Sequence, residues 1–485
     1  MAELRAAVIG SGFGGLAAAI RLAALGHRVR VFEAGPAPGG KCARVTRDGF
    51  TWDAGPSLLT MPWVFEALFA DTGGPLAEEL ELLPVEPVTR YRFADGTSVD
   101  LSADAERSRA ALEAWSPGTG ADWTRLLATW ERMWRASEPV LRGPAPWPPP
   151  ARAPRAAATA ARPAGPSPTA LLRVQPWRTL RGLARAHTRD PRLRMVVKRF
   201  ATYAGADPRR APAALALAGY VEHAWGAWHP RGGMYALVQA LVRRLEALGG
   251  ELELDTPVRR ILRDRTGRAA AGVETGAGAQ AADAVVAAID AERVVGALLG
   301  RPVRARERSL SGLALMLGLR GATPGLVHHT IVFPADYDAE FDDLFVHRRP
   351  VRDPAVYVSA SCATDPAEAP AGAENWFVLV NAPAIGGEAD WAAEAERLVD
   401  RLGVRERLVT MAVRSPADLE RETGAPGGSI YGVAPHGRLG TLRRPGGRVR
   451  AVPRLWLAGG TVHPGGGLPL VALGAATVAR EIGPA

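Results

Sequence analysis

The N-terminal part of the chain alternates apolar and glycine-rich stretches in a pattern that permits few folds. "RAAVIG" is a short β-favouring run, and Gly10, Gly12 and Gly15 follow as a G-x-G-x-x-G pattern. "LAAAIRLAALG" then has helical periodicity and ends in glycine, and "RVRVFEAG" is a second apolar run that reaches Glu33. These features predict a complete strand–helix–strand unit within about 30 residues.

Each conspicuous residue of this unit has a physical role in the predicted fold. Gly10 permits a tight turn, Gly12 lets the backbone approach a pyrophosphate, and Gly15 lets helix and strand pack closely. The helix N-terminus presents free N–H groups to phosphates, and the Glu33 carboxylate can accept hydrogen bonds from ribose hydroxyls. A membrane span would place Arg21 near its middle, at a cost of a few kcal/mol. We therefore interpret this segment as a dinucleotide-binding unit.

The net charge and the cysteine content limit which partners and which cellular compartment the protein can have. The formal net charge is +9, and the only lysines are Lys41 and Lys198, so the excess is arginine. An arginine bias in an Ala-, Gly- and Pro-rich chain explains this positive charge. The sequence has no basic run interleaved with aromatic residues, so it does not indicate nucleic-acid binding. Attraction to anionic lipid stays open. Cys42 and Cys362 are far apart, which predicts no disulfide framework and favours a reducing compartment. We expect no signal peptide.

A second glycine-rich pattern comes soon after Glu33. A double glycine and a basic residue are followed by "GFTWDAGPS", residues 49–57. This stretch resembles the extended FAD fingerprint of the amine oxidase and carotenoid desaturase flavoproteins. In that superfamily the first pattern passes along the pyrophosphate and flavin, and the second lies near the flavin. The resemblance therefore implies FAD as cofactor, with these residues at its site: Gly39, Gly40, Lys41, Asp53 and Gly55.

The C-terminal part fits the same resemblance. "RLWLAGGTVHPGGGLPLVALGAATVAREI" predicts a strand over 455–458, a glycine-rich loop and a helix from about Leu470. The family places this element beside the isoalloxazine ring and places the backbone of Val258 at the adenine. The remaining residues of the implied FAD site are Gly14, Gly459, Gly460, Thr461 and Gly466.

The fold class predicted from these features is α/β. We expect a Rossmann-like FAD-binding domain of the amine oxidase/carotenoid desaturase type, together with a mixed α+β substrate domain. Three separated segments build the first domain, residues 1–101, 229–300 and 416–485. The substrate domain comprises a helical, membrane-facing segment, 102–228, with a Pro-rich loop at 143–168 that we expect to be mobile, and an antiparallel sheet, 301–415.

Tryptophan is concentrated in the helical segment. Eight of the 13 tryptophans lie between Trp115 and Trp228. Tryptophan with arginine on helices is typical of a membrane interface, and packing in a helical core or along an apolar channel explains the pattern equally well. We expect any membrane contact to be monotopic. We expect a cytoplasmic protein on the inner face of the cell membrane, with Trp130, Trp134 and Trp147 meeting lipid.

Longer motifs resemble one group of flavoproteins. "HPRGGMYALVQALVRRLEALGG" (229–250), "HHTIVFPADYDAEFDDLF" (328–345) and "AGGTVHPGGGLP" (458–469) are similar to bacterial carotenoid desaturases of the phytoene desaturase type. The resemblance implies a FAD enzyme that removes a hydride and a proton from a long polyene. "LVNAPA" (379–384) and "GGSIYG" (427–432) favour the branch that desaturates the 3,4 bond of 1-hydroxycarotenoids. The alternatives are a phytoene desaturase, an amine oxidase and a non-catalytic prenyl-lipid carrier.

The candidates for acid–base chemistry are few, because flavin N5 is the main oxidant. His229, Arg231 and His463 lie near glycine turns in the recognised motifs, where a histidine more often has a structural role. The nine histidines show no metal-ligand spacing, and His328 and His329 should point to opposite faces of a strand. We predict no bound metal and leave the oligomeric state open.

Overall fold

A computed structural model describes residues 3–146 and 172–485. At its centre is a five-stranded sheet in which every neighbouring pair is parallel. Apolar residues fill these short strands because both faces of the sheet are covered. In spatial order the strands are Leu455–Leu457, Ala284–Ala287, Arg5–Ile9, Arg28–Phe32 and Glu251–Glu253. The predicted α/β class is confirmed.

Helices cover one face of this parallel sheet. Helix Phe13–Ala24 lies between helices Met234–Ala247 and Leu468–Ile482, and all three contribute to one apolar core. The last helix begins two residues before the predicted start at Leu470. A three-stranded antiparallel sheet packs on the other face; its strands are Arg260–Arg263, Ala270–Thr275 and Gly278–Ala281.

A second, seven-stranded sheet forms the other layer of the molecule. Its neighbours pair antiparallel except for Thr89–Arg92 and His329–Val332, which run parallel. Two strands at one end of this sheet, Thr89–Arg92 and Ser98–Leu101, come from the segment 1–101 that the sequence assigns to the FAD-binding domain, so the structure differs from that boundary here. They join the sheet through the pairing of Thr89–Arg92 with His329–Val332, and Tyr91 also stacks on Phe333. In spatial order the strands are Leu408–Arg414, Ser311–Arg320, Ala373–Ala382, Val356–Ser359, His329–Val332, Thr89–Arg92 and Ser98–Leu101.

The two faces of the seven-stranded sheet have different neighbours. Helix Trp391–Leu402 packs on one face, against alternate residues such as Val356 and Val358. The opposite face packs on the hairpin of strands Arg44–Arg47 and Phe50–Asp53, which lies within the FAD fingerprint. The inner face of this sheet is therefore turned toward the predicted cofactor. A short ladder of Leu82–Val85 with Ala227–Pro230 lies beside it.

The described part of segment 102–228 is helical, as its sequence predicts. Trp130 has no exposed surface and Trp134 is 5% exposed, so both pack in the core and the expectation that they meet lipid is wrong. Trp147 and residues 147–168 of the Pro-rich loop lie outside the described residues. The helices of this segment are Ala105–Trp115, Thr119–Leu141, Leu180–His187, Pro191–Arg199 and Leu217–Trp225.

Shorter helices complete the fold: Pro62–Ala70, Ala291–Arg293, Tyr337–Asp342 and Pro416–Thr423. Across residues 3–146 and 172–485, every helix is too short or too polar to cross a lipid bilayer.

Candidate active site

The glycines of the first unit are held by close backbone contacts. Gly10 has a φ of +91°, and its N–H donates to the Phe32 carbonyl at 2.8 Å. A Cβ added at Gly15 would lie 2.0 Å from the Gly10 carbonyl oxygen, and one at Gly14 would lie 2.9 Å from the Gly459 Cα. No side chain fits at either position, so the helix, the first strand and the C-terminal loop meet backbone to backbone.

Gly12 is different, because its missing side chain faces open space. A Cβ added there would have no atom within 4 Å. Gly12 is also the N-cap of helix Phe13–Ala24 and supplies no side-chain cap. The free N–H groups of the first turn therefore face the same space, which is the arrangement that binds a phosphate. Gly39 borders it, since its N–H donates to the Ser11 carbonyl at 3.0 Å.

Glu33 lies at the edge of this cradle. Its Oε2 accepts hydrogen bonds from the Ser11 N–H and from the Ser11 hydroxyl, both at 2.7 Å. Its Oε1 accepts from the Gly35 N–H at 2.9 Å. Sequence reasoning missed Ser11, although a short polar residue between two cradle glycines was a usable signal. Val258 follows two residues after Thr256, whose N–H donates to the Glu33 carbonyl at 2.7 Å.

The C-terminal loop closes the other side. A Cβ added at Gly460 would lie 3.4 Å from the Gly466 Cα, and one at Gly466 would lie 2.3 Å from the Tyr431 ring. The Thr461 hydroxyl accepts from the Ala291 N–H at 3.1 Å. The C-terminal loop also lies against the N-terminal glycine motif, through the close approach of Gly14 and Gly459.

Lys41 places a buried positive charge in this region. Its Nζ donates to the carbonyls of Ile430 at 2.6 Å and Ser429 at 3.4 Å. Burial lowers the pKa of Lys41 to about 8, although the nearby Asp290 opposes that shift. Gly40 precedes Lys41, and a Cβ added at Gly40 would lie 3.3 Å from the Gly12 Cα. Lys41 is therefore an ammonium held by neutral carbonyls rather than by a carboxylate.

Two further buried cations were not found from the sequence. Arg444 donates to the carbonyls of Tyr431 at 3.2 Å and Gly460 at 3.1 Å, and burial lowers its pKa to about 10. Arg414 donates to the Ala54 carbonyl at 2.6 Å. Their sequence contexts hold no motif, so nothing in the sequence distinguishes them from the many other arginines. Arg414 also forms an ion pair with Glu422 at 2.6 Å, so the positive charge of this region comes from Lys41 and Arg444, which are held by carbonyls.

Asp53 and Gly55 connect the fingerprint to neighbouring elements. The Asp53 carboxylate accepts from the N–H groups of Met234 at 2.6 Å and Tyr235 at 3.1 Å, at the start of helix Met234–Ala247. Burial raises the pKa of Asp53 to about 6 against the effect of these bonds. A Cβ added at Gly55 would lie 1.9 Å from the Lys41 carbonyl oxygen, so this turn needs glycine.

The three acid–base candidates have different hydrogen-bond partners. His229 is buried, and its Nε2 lies 3.1 Å from Glu368 Oε1. Arg231 forms an ion pair with Glu81 at 2.6 Å and is 55% exposed. The Nε2 of His463 is hydrogen-bonded to the Val140 carbonyl at 2.9 Å, and burial lowers the pKa of His463.

His229 belongs to a buried polar cluster that has no counterpart in the sequence pattern. Potential ligand atoms of His229, Asp365 and Glu368 lie within 4.8 Å of one another. Each is engaged with protein: Asp365 accepts from the Gly232 N–H at 2.8 Å, and Glu368 accepts from the hydroxyl of Ser361. The two carboxylates are satisfied by hydrogen bonds, whereas His229 Nδ1 has no partner among the described residues, and the absence of a metal stays a prediction.

His328 and His329 do not point to opposite sides as expected. Their ring centroids are 4.2 Å apart, and both rings are buried. The alternation fails because regular strand geometry begins only at His329. The Nδ1 of His329 lies 2.8 Å from the Tyr357 hydroxyl, and that hydroxyl lies 2.7 Å from the Ser57 hydroxyl.

Comparison with known proteins identifies the class. The family of flavin containing amine oxidoreductases matches residues 13–309. The 4,4'-diapolycopene oxygenase of Methylomonas sp is 34% identical over 99% of this chain and 98% of its own. The hydroxyneurosporene desaturase of Cereibacter sphaeroides is 36% identical over 98% and 96%. The lycopene-forming phytoene desaturase of Pseudescherichia vulneris is 32% identical over 97% of both.

A solved structure agrees on the fold. The cyclohexylamine oxidase from Brevibacterium oxydans has a TM-score of 0.62 at 17% identity, covering 99% of this chain and 100% of that one. The chain therefore belongs to the flavin-containing amine oxidoreductase family. Within that family it groups with the FAD-dependent carotenoid desaturases, and its cofactor is FAD.

Proposed function

We propose that the protein desaturates the 3,4 bond of a hydroxylated carotenoid. The reaction removes a hydride and a proton from adjacent carbons of the polyene and leaves a new C=C bond. Three hydroxyneurosporene desaturases among the relatives are 34%, 35% and 36% identical over almost the whole chain, which supports this substrate class. Segments 102–228 and 301–415 then serve as the substrate domain.

One contact supports the choice of branch. The two segments typical of the 3,4-desaturases, 379–384 and 427–432, are far apart in sequence and meet at Gly312. A Cβ added at Gly312 would lie 2.8 Å from Leu379 Cδ1 and 3.5 Å from Ile430 Cδ1. Ile430 also holds Lys41 through its carbonyl. Both segments thus pack against the same glycine, next to a residue of the FAD fingerprint.

The residues of the cradle fit FAD. The open side of Gly12 and the helix N-terminus suit the pyrophosphate, Glu33 suits the ribose, and the backbone at Val258 suits the adenine. FAD, when bound, supplies the hydride acceptor. The flavin would lie among the remaining cradle residues, Gly39, Gly40, Lys41, Gly55, Gly459, Gly460, Thr461 and Gly466, with Asp53 supporting their hairpin.

The substrate class is tested by feeding. Purified protein with FAD receives a 1-hydroxycarotenoid or phytoene in separate vesicles, and absorption spectra follow the length of the conjugated system. We expect a red shift with the hydroxylated substrate and little change with phytoene. A red shift with phytoene alone would replace this proposal by the second candidate, a phytoene desaturase, which the phytoene desaturases among the relatives favour.

We further propose that the protein binds anionic membranes at its cytoplasmic location. Runs 139–189 and 423–480 contain no Asp or Glu. One surface cleft of about 630 Å³ is lined by residues of both runs, among them Trp177 and Arg438. Trp177 is 52% exposed and Leu439 is 44% exposed. Exposed apolar side chains beside arginines are the combination that an anionic lipid surface attracts.

Vesicle co-sedimentation tests this surface. We expect binding to vesicles that contain phosphatidylglycerol, loosening with salt, and weaker binding to phosphatidylcholine alone. Combining Trp177→Ala with Arg438→Gln should reduce co-sedimentation. Val409→Ala is the matched control, because Val409 is 53% exposed on strand Leu408–Arg414. Equal co-sedimentation of the double variant and the parent would exclude this cleft.

A further inference from the structure

A row of polar side chains crosses the interior between the FAD fingerprint and the far end of the seven-stranded sheet. The hydroxyls of Ser57 and Tyr357 lie 2.7 Å apart, and the Tyr357 hydroxyl lies 2.8 Å from His329 Nδ1. At the other end, His328 Nδ1 lies 2.8 Å from the Thr364 hydroxyl. The row has one gap, between the rings of His328 and His329.

The atoms at that gap are the ones without partners. The Nε2 atoms of His328 and His329 and the Nδ1 of His229 are buried and have no hydrogen-bond partner among the described residues. The His328 ring lies 4.2 Å from the His329 ring and 4.9 Å from the His229 ring, measured between centroids. A buried water typically binds about three such otherwise unsatisfied groups. One water shared by the three nitrogens would complete the row.

One end of the row lies near the candidate active site, and the other end lies near solvent. Ser57 is partly accessible and follows Gly55 by two residues, on the loop that the fingerprint directs at the flavin. Thr364 is partly accessible and lies next to the exposed Ala363, at the outer surface. The row therefore connects the candidate active site with solvent through a sheet whose other inner residues are largely apolar, such as Met316 and Phe377.

Its members are neutral at physiological pH. Burial raises the pKa of Tyr357 to about 12, lowers the pKa of His329 to about 3, and lowers the pKa of His328 well below its usual value. The charged or titratable groups that act on them are Arg199, Glu222 and His229. A neutral hydroxyl or imidazole has both a donor and an acceptor, so each can take one proton while it gives another.

We propose that Ser57, Tyr357, His329, His328 and Thr364 form a proton relay that removes the proton lost by the substrate. This inference rests on the proposed desaturation. In that reaction the hydride goes to the bound cofactor, and the electron pair of the second C–H bond becomes the new π bond. The hydroxyl of a 1-hydroxycarotenoid is too weak a base to keep the remaining proton, so the proton leaves through the protein.

The transfers balance one proton at each step. Ser57 Oγ takes the substrate proton and passes its own to Tyr357, and Tyr357 passes its own to His329 Nδ1. His329 releases the proton on Nε2 through the shared water to His328 Nε2. His328 releases the proton on Nδ1 to Thr364, which passes its own to bulk water. This direction requires His329 to carry its resting proton on Nε2 and His328 to carry its own on Nδ1.

The same tautomers satisfy the water. It accepts one hydrogen bond from His329 and donates two, to His328 Nε2 and to His229 Nδ1. His229 Nδ1 is available as an acceptor because His229 uses Nε2 to donate to Glu368. The relay therefore requires one particular tautomer at His329 and one at His328, and this requirement can be tested without turnover.

The first test uses the apoprotein with ¹⁵N-labelled histidine and NMR. We expect the Nε2–H tautomer at His329 and the Nδ1–H tautomer at His328, and a changed His329 signal in Tyr357→Phe. The opposite tautomer at either ring would overturn the relay. This result does not depend on the substrate, so a parent enzyme that desaturates no offered carotenoid would refute the proposed function and leave the tautomer test in force.

The second test measures anaerobic single-turnover rates with carotenoid vesicles. The parent rate should be flat between roughly pH 6 and pH 8, because no member of the relay titrates there. In Tyr357→Phe and Ser57→Ala the rate should fall about tenfold or more and rise with pH as hydroxide replaces the relay. Ser57→Thr should restore the flat profile that Ser57→Ala loses. Tyr220→Phe is the control for loss of a tyrosine hydroxyl.

A structural role alone would lower the rate equally at every pH. A flat profile in both Tyr357→Phe and Ser57→Ala would therefore overturn the relay even if the rates fell. Should Tyr357→Phe fail to fold, Ser57→Ala on the loop carries the same comparison.

Discussion

Gly15 and Gly10 are in direct contact: a methyl group placed on Gly15 would lie 2.0 Å from the Gly10 carbonyl oxygen. Gly12, between them in sequence, has no atom within 4 Å of the same position. Two glycines of one motif therefore do different things. One is required by the protein's own packing, and the other leaves room for something that the protein binds.

This difference gives the first prediction. Gly15→Ala should destabilise the apoprotein by about 1–3 kcal/mol or more, because the contact is with backbone that cannot move aside. Gly12→Val should unfold like the parent in urea while losing FAD, because its side chain fills only the phosphate path. Urea unfolding of both apoproteins and FAD titration measure the two effects. If Gly12→Val kept the yellow chromophore undiminished, the cradle would be assigned wrongly.

Glu33 provides the second prediction. Its two oxygens accept three hydrogen bonds from Ser11 and Gly35, so the carboxylate is fixed before any ribose arrives. Glu33→Ala should weaken FAD binding by roughly 1.5–3 kcal/mol, about 10- to 100-fold, through loss of charge-assisted hydrogen bonds. Isothermal titration with FAD measures it. Ser11→Ala is the control, because it keeps the Glu33 carboxylate and removes only the hydrogen bond from the Ser11 hydroxyl. An equal loss of FAD affinity in both variants would mean that Glu33 only organises the loop.

Asp53 provides the third prediction, on pH. Its pKa is about 6 in the folded protein and about 3.9 in an unfolded chain, so the folded state binds the proton more tightly. The stability that this proton contributes is present below about pH 4 and is lost as pH rises toward 6. Relative to Asp53→Asn, which does not titrate, the parent should lose stability over that range.

Urea unfolding of the apoprotein at several pH values measures this loss. Asp48→Asn is the matched control, because the Asp48 carboxylate is exposed. A constant difference in unfolding free energy between the parent and Asp53→Asn would show that the pKa of Asp53 is the same in the folded and unfolded states.

The tryptophans provide the fourth prediction. Trp130→Ala should destabilise the protein by about 3–5 kcal/mol, since the ring is fully buried against Trp123 and Phe200. Trp177→Ala should leave the unfolding free energy unchanged within about 0.5 kcal/mol, since the ring is half exposed. Denaturant unfolding distinguishes them. The reverse ranking would mean that the helical segment packs differently in solution.

The sequence predicted best what is encoded within short stretches. The first strand–helix–strand unit is contiguous, so the spacing of Gly10, Gly12 and Gly15 and the apolar runs around them determine it locally. The same holds for the C-terminal strand and loop. The burial of Trp130 was not predictable, because tryptophan and arginine on a helix suit a membrane surface and a protein core alike.

Other features depend on partners hundreds of residues away. Strand Thr89–Arg92 pairs with His329–Val332, and no local pattern names that partner. Arg414 and Arg444 join the site because their carbonyl partners come from Ala54, Tyr431 and Gly460, while their own surroundings resemble any arginine-rich loop. Sequence reasoning of this kind finds motifs, and it misses residues that only the packing of distant segments brings together.

The order of strands in the parallel sheet has a consequence for synthesis on the ribosome. Arg5–Ile9 emerges first, yet its neighbour Ala284–Ala287 appears almost 280 residues later, and the edge strand Leu455–Leu457 later still. Chains grow at about 5–20 residues per second, so the nascent N-terminal unit waits tens of seconds with an apolar edge unpaired. A bound chaperone, or early capture of the nucleotide half of the cofactor, would protect that edge while translation finishes.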